Sequence, residues 1–201
     1  KYLYGEEVQS TTNYPVRESL INFIKGYTKS DKFRQKIMSI YENYPREIFY
    51  GSINIAGTND TERILTVLDG NIELLKLLVA VQFTLPGVPM ICYGDEAGLK
   101  GGKEPDNRKS YPWGEENEDI LEFYRRIADI RVHEKSLKKG DFFIYKTEED
   151  VLVFERNFEN EKIIVIVNVS SVNWVKNALS VLHAGIIVIL QIKQKQNVAI
   201  E

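Results

Sequence analysis

Two segments, SINIAGTNDTER (residues 52–63) and GVPMICYGDEAG (residues 87–98), decide how this chain is read. Each is a short apolar run that ends in glycine and then carboxylates: Gly57 before Asp60 and Glu62, and Gly94 before Asp95 and Glu96. Runs of this length bounded by turn residues read as buried strands. A buried strand with an acid at its tip is how α/β proteins place reactive side chains along one rim of a sheet or barrel. Gly57 lets the backbone turn at the strand end, so that Asp60, Glu62 and Arg63 project beyond it. Asp60 equally suits the cap of the next helix, with Glu62 and Arg63 as solvated charge. Asp95 and Glu96 are adjacent, point apart and make a poor catalytic pair. They equally suit a structural turn.

Working outward, residues 50–57 are the first strand and 88–93 (VPMICY) the second, the latter expected to be fully buried. Between them, Asn71 is placed to cap a helix running to Leu85 that is apolar nearly all round and therefore deep in the core. Pro86-Gly87 ends it. Upstream, the polar, β-prone stretch 8–14 leads into a helix over 16–28 with Pro15 near its first turn. Ser30 and Asp31 are placed to cap a second helix over 32–43. Downstream, a polar loop carries Gly101, Gly102, Pro105, Arg108, Tyr111 and Trp113, and a charged amphipathic helix covers 117–134. Strand alternating with helix predicts parallel βα units. From Gly140 the texture changes to short strands with polar turns, 141–145, 151–157 and 162–170, which predicts an antiparallel sheet and a boundary near 136–140. GIIVILQIKQKQN (185–197) lacks that turn spacing.

The bulk properties narrow the function classes. Hydrophobic residues make up 43% and charged residues 27% of the 201, an ordinary balance for a globular protein. The net charge of −3 gives no basic footprint for nucleic acid. No run approaches the roughly 18 apolar residues of a membrane span, and the start shows no signal-peptide pattern. The single cysteine, Cys92, lies in an apolar run and reads as a core thiol of a reducing, cytoplasmic compartment. His133 and His183 are isolated, so no metal-ligand spacing appears. No Gly-rich phosphate loop or nucleophile elbow is present. The expectation is no metal and no cofactor. Arg108, with Tyr111 and Trp113 close by, combines planar donors with ring faces, which suits a hydroxyl-rich ligand. A loop-anchoring ion pair is the alternative.

At these residues the chain resembles the α-amylase family of glycoside hydrolases (family 13), and within it the neopullulanase, cyclomaltodextrinase and maltogenic amylase group. VQSTTNYPVRESLINF (8–23) resembles the sixth barrel strand and its helix, and SINIAGTNDTER the seventh-strand motif. GVPMICYGDEAGLKGGKEPDNRKSYPW (87–113) resembles the eighth strand and a substrate-contacting loop, and IADIRVHEKSLKKGDF (127–142) the exit into a β domain. The resemblance implies an α/β fold: part of a (β/α)8 TIM barrel, strands six to eight with their helices over residues 1–136, then a C-terminal antiparallel β-sandwich over 137–201. It also implies retaining hydrolysis of α-glucosidic bonds in maltooligosaccharides, cyclodextrins or pullulan. Retention uses a nucleophile and a general acid about 5 Å apart, which the family takes from strands four and five.

Asp60 matches the third acid, the transition-state stabiliser after strand seven. Asn59 stands where the family usually has His; it can donate a hydrogen bond but cannot become cationic. Asn59 and Arg63 flank Asp60 in that motif as substrate-side positions, and Glu104 and Arg108 match loop positions that contact bound glucan. The nucleophile and acid strands have no match within residues 1–51, and the chain opens on Lys1, which reads as a boundary, a processed end or a truncation. The tail after about residue 175 departs from the usual final strands. The expected partners are therefore an α-glucan oligosaccharide and an N-terminal barrel half, from the same gene or a separate chain. Alone, the chain is expected to be inactive and to expose open strand edges. The alternatives are a non-catalytic glucan-binding module using Trp113, Arg108 and the β domain, or half of a split enzyme.

Overall fold

The computed structural model describes residues 10–147 and 150–170, and the backbone of 186–191. Three parallel strand positions form its first layer. Thr12 bridges Ile53, and β1 (Ile53–Ile55) pairs with β2 (Val88–Met90) in register Ile53↔Val88 to Ile55↔Met90. Helices fill the connections, as the alternation of patterns predicts. α1 (Tyr14–Ile24) carries Pro15 in its first turn and buries Val16, Leu20, Ile21, Phe23 and Ile24. α2 (Ser30–Asn43) buries Phe33, Ile37 and Ile40, and α3 (Arg46–Gly51) leads into β1. The short α4 (Ile64–Val67) precedes α5 (Ile72–Thr84), where Asn71 caps as expected by accepting a hydrogen bond from the Leu74 amide at 3.1 Å.

Every residue of α5 from Leu75 to Thr84 is buried, so its polar members need partners. Lys76 reaches out to Asp119 at 2.7 Å. Gln82 donates to the carbonyls of Asn54 and Met90 at 3.0 and 2.8 Å, tying the helix to both strands. α6 (Glu118–His133) turns Ile120, Phe123, Tyr124 and Ile127 inward, and α7 (Lys135–Lys139) leads to the second sheet.

That sheet has the order β3 (Asp141–Ile144), β4 (Val151–Phe158), β5 (Glu161–Asn168), β6 (Ile186–Gln191). One core cluster runs through both layers, from Phe23 and Leu77 to Leu152, Phe154 and Val165. Two arginines, Arg131 partly buried and Arg156 fully buried, fasten the seam where α5 ends. Arg131 donates to the carbonyls of Phe83, Leu85 and Gly87. Arg156, 0% exposed, donates to Thr84 and Gly140, each at 3.0 Å. Loss of hydration lowers the Arg156 pKa to about 9, with Arg131 nearby adding to the effect, yet both arginines stay cationic near neutrality.

Three expectations are corrected. Ser30 and Asp31 do not cap α2: the helix starts at Ser30 after an extended Lys29, and Asp31 in the first turn accepts from Arg34 and Gln35. An acid there still opposes the positive end of the helix dipole. Second, β2 is not fully buried, since Val88 is 53% and Met90 37% exposed. Among the described residues β2 has a strand neighbour on one side only, and an apolar run is buried only where something covers it. Third, the second sheet is antiparallel only across β3–β4–β5; β5 and β6 run parallel. The connection over 169–185 is long enough for a crossover, which a parallel pair requires. The described residues hold one sheet of the second layer, and the rest of the stretch expected to form a sandwich lies outside them. The tail after about residue 175, apart from the backbone of 186–191, lies outside them, as do His183 and residues 1–9. No helix among the described residues is long and apolar enough to cross a membrane.

Candidate functional site

The loop after β1 folds on its own hydroxyls. Thr58 Oγ1 accepts from the Asp60 amide at 3.3 Å, and Thr61 Oγ1 accepts from the Thr58 amide at 3.0 Å. This tight turn projects Asp60 into solvent, with its side chain 79% exposed. Across from it, a single 3-10 turn at Asp106–Arg108 presents Arg108. Its Nη2 lies 3.9 Å from Asp60 Oδ1 and 3.4 Å from Glu104 Oε1. Three residues singled out from sequence, Asp60, Glu104 and Arg108, therefore meet in space although two loops supply them. Arg108 is half-exposed, so these pairs are worth little as stability. Their significance is chemical: two acceptors and a planar donor fork facing one patch of solvent.

Asn59, exposed, sits beside Asp60 with its side-chain oxygen 3.9 Å from Cys92 Sγ. Arg63 is not part of the exposed group. It turns back beneath the turn, 2% exposed, where Nε donates to the Asn107 carbonyl at 2.7 Å and Nη1 to the Tyr93 carbonyl and to Asp95 Oδ1 at 3.4 Å. Its guanidinium also stacks 4.4 Å over the Tyr93 ring. Arg63 is thus a floor beneath the site rather than a side chain in it. The sequence motif places it next to Glu62, and nothing local distinguishes a solvated arginine from one whose partners lie thirty residues away.

Asp95 is 1% exposed, and burial pushes its carboxyl up to about 7 against the opposing pull of Arg63. Gly57 is required by this carboxylate: a Cβ there would stand 2.5 Å from Asp95 Oδ2. The need for glycine is close approach, not the turn expected from sequence. A carboxyl with a raised folded pKa binds its proton more tightly folded than unfolded, so its contribution to stability is full below about pH 4 and is lost as pH rises through about 7. Urea titrations across that range should show unfolding free energy falling by up to about 1.4 kcal/mol per pH unit from this group, and Asp95→Asn should remove that slope.

Cys92 is buried, and loss of hydration, followed by the nearby Asp95, raises its thiol pKa, so it is a poor nucleophile at neutral pH. No group of three or more His, Cys, Asp or Glu suited to a metal ion occurs among the described residues. Asn107 is the site residue that sequence reasoning passed over. It is 3% exposed and bonds to the Asp60 turn. An asparagine after Pro105 and Asp106 reads only as a turn residue, so no signal in the pattern marks it.

A strand-tip acid, facing an arginine from the loop after the next parallel strand, defines a rim site of an α/β sheet or barrel. Residues 1–129 match the family described as Alpha amylase, catalytic domain, and the chain belongs to that family. It is similar to the amylopullulanase of Thermoanaerobacter thermohydrosulfuricus, 38% identical over 80% of this chain and 13% of that protein. It is also similar to the cyclomaltodextrinase of Geobacillus thermopakistaniensis (strain MAS1), 31% identical over 85% of this chain and 30% of that protein. Among solved structures, the ligand-free cyclic α-maltosyl-(1→6)-maltose hydrolase from Arthrobacter globiformis superposes with a TM-score of 0.80 at 30% identity, over 83% of this chain and 39% of that one. The chain thus spans well under half the length of these relatives. Their shared architecture makes the β1–β2 layer part of a TIM barrel.

Proposed function

We propose that this chain supplies the C-terminal part of a retaining α-glucan hydrolase, with residues 1–136 forming barrel strands six to eight and 137–201 a β domain. The observation that carries this is the convergence of Asp60, Glu104 and Arg108 on one face. Asp60 accepts hydrogen bonds from sugar hydroxyls and strengthens them as the ring flattens toward an oxocarbenium-like state. Arg108 and Glu104 hold hydroxyls of the adjoining glucose unit. Asn59 donates an amide hydrogen bond where the family resemblance implies a histidine; it cannot become cationic, which weakens stabilisation of charge at the sugar. Arg63 fixes the turn from below.

The nucleophile and the general acid are not assigned to any of these residues, and the chain alone is proposed to be inactive. Their strands are proposed to pack against the exposed row Val88, Met90, Ile91 and Tyr93, which are 53, 37, 40 and 43% exposed. The test is proton NMR of maltohexaose, a cyclodextrin and pullulan incubated with this chain co-produced with a chain bearing strands one to five. The α-anomer is expected as first product. First release of the β-anomer contradicts the retaining mechanism.

A second reading, a glucan-binding module, is favoured by the ring pair Tyr111–Trp113, whose centroids lie 4.5 Å apart, with Trp113 81% exposed. Exposed rings of this kind stack on sugar faces. Calorimetric titration of the purified chain with maltohexaose separates the two readings. A dissociation constant at or below about 1 mM, weakened roughly tenfold by Arg108→Ala, is the outcome the binding module requires.

A further inference from the structure

Asp60 is exposed, and a carboxylate on a short loop has many orientations. Its own turn contributes threonine hydroxyl bonds at 3.0–3.4 Å and one backbone bond, from the Thr61 amide to the Thr58 carbonyl at 3.2 Å. The stronger restraint comes from the neighbouring loop. Asn107 Nδ2 donates to the carbonyl of Asn59 at 2.8 Å and to the carbonyl of Thr61 at 2.9 Å. Those are the residues on either side of Asp60. One buried amide therefore spans the turn from both ends, and its two N–H bonds match two acceptors in number. The orientation of the amide is fixed by chemistry: rotating it by half a turn would aim its oxygen at two carbonyl oxygens.

Asn107 is itself held. Its carbonyl accepts from Arg63 Nε at 2.7 Å, and the Arg63 amide donates to the Gly101 carbonyl at 3.0 Å. Gly101 leaves no room for adjustment, since a Cβ there would stand 2.4 Å from the Asp106 carbonyl oxygen. The next residue after Asn107 is Arg108, directed outward from the same 3-10 turn toward Asp60. Inward and outward neighbours of one turn thus set both the backbone under Asp60 and the arginine opposite it.

We propose that Asn107 is the positioning residue of this site, clamping the Asn59 and Thr61 carbonyls so that the Asp60 carboxylate meets the ligand in one orientation and in fixed register with Arg108. The role of Asp60 toward sugar rests on the function proposed above; the clamp does not. Two readouts keep them apart. The first needs no ligand. In Asn107→Ala, amide hydrogen exchange at Thr58, Asp60 and Thr61 should quicken by about ten- to a hundredfold, one or two lost hydrogen bonds' worth, while the α5 amides are unchanged. Asn107→Asp, which keeps the size and removes both donors, should give the same pattern. If either variant lacks a folded α5, the comparison is made on the other. Unchanged exchange at those three residues overturns the clamp.

The second readout uses the chain co-produced with strands one to five and cleaving maltohexaose. Asn107→Ala should lower kcat about tenfold or more on the wild-type background and by less than about twofold on Asp60→Ala. Equal losses on both backgrounds assign Asn107 a general structural role and overturn the positioning claim. If that assembly cleaves nothing, the proposed function fails while the exchange result still decides the clamp.

Discussion

Asp60→Asn should lower kcat toward maltohexaose by about 10²–10³-fold in the co-produced assembly, with a much smaller change in KM. The substitution keeps the shape and one acceptor oxygen but removes the charge. Hydrogen bonds from sugar hydroxyls to a carboxylate strengthen as positive charge develops on the ring, so the loss falls on the transition state rather than on binding. Arg108, 3.9 Å from Asp60, then has one fewer carboxylate to face and turns toward Glu104. A change of less than about threefold in kcat would remove Asp60 from the reaction.

The second large effect is on stability. Arg156→Ala should destabilise the chain by about 3–5 kcal/mol. Its side chain is fully buried between α5 and β3, and its removal leaves both a void and two carbonyls, Thr84 and Gly140, without their donor. Arg156→Met fills the void but not the bonds, and also relieves the cost of burying a cation, so about 1–3 kcal/mol is expected. Denaturant titration of both variants measures the terms separately. An Arg156→Ala variant within about 0.5 kcal/mol of the parent would mean that this seam does not hold the two layers together.

The legible parts of the fold were those decided within one element. The run from Leu75 to Phe83, apolar but for Lys76 and Gln82, reads as a buried helix, and the Asn71 cap is a local hydrogen bond. The β1–β2 pairing followed from strand–helix alternation. What a neighbour decides was not legible. VPMICY reads as buried, yet Val88 and Met90 are exposed because burial depends on what covers a strand. The direction of β6 depends on its connection, not on its composition.

The site divides the same way. Asp60, Glu104 and Arg108 were visible as polar residues at a strand tip and in a Gly/Pro loop, and they do converge. Arg63 and Asn107 act through partners far along the chain, Asp95 and Tyr93 for one and Asn59 and Thr61 for the other. Gly57 reads in the sequence as a turn glycine, but the carboxylate of Asp95 packed against it is a contact that only the folded chain reveals.

The central proposal is that this chain carries the hydroxyl-binding acid of an α-glucan site while the two bond-breaking carboxylates come from elsewhere. Reducing-sugar release from maltohexaose tests it most directly, measured for the purified 201-residue chain and for the same chain co-produced with strands one to five. The prediction is no release by the chain alone and release by the pair, slowed about 10²–10³-fold by Asp60→Asn. Sustained release by the purified chain alone, free of other amylase, would contradict it.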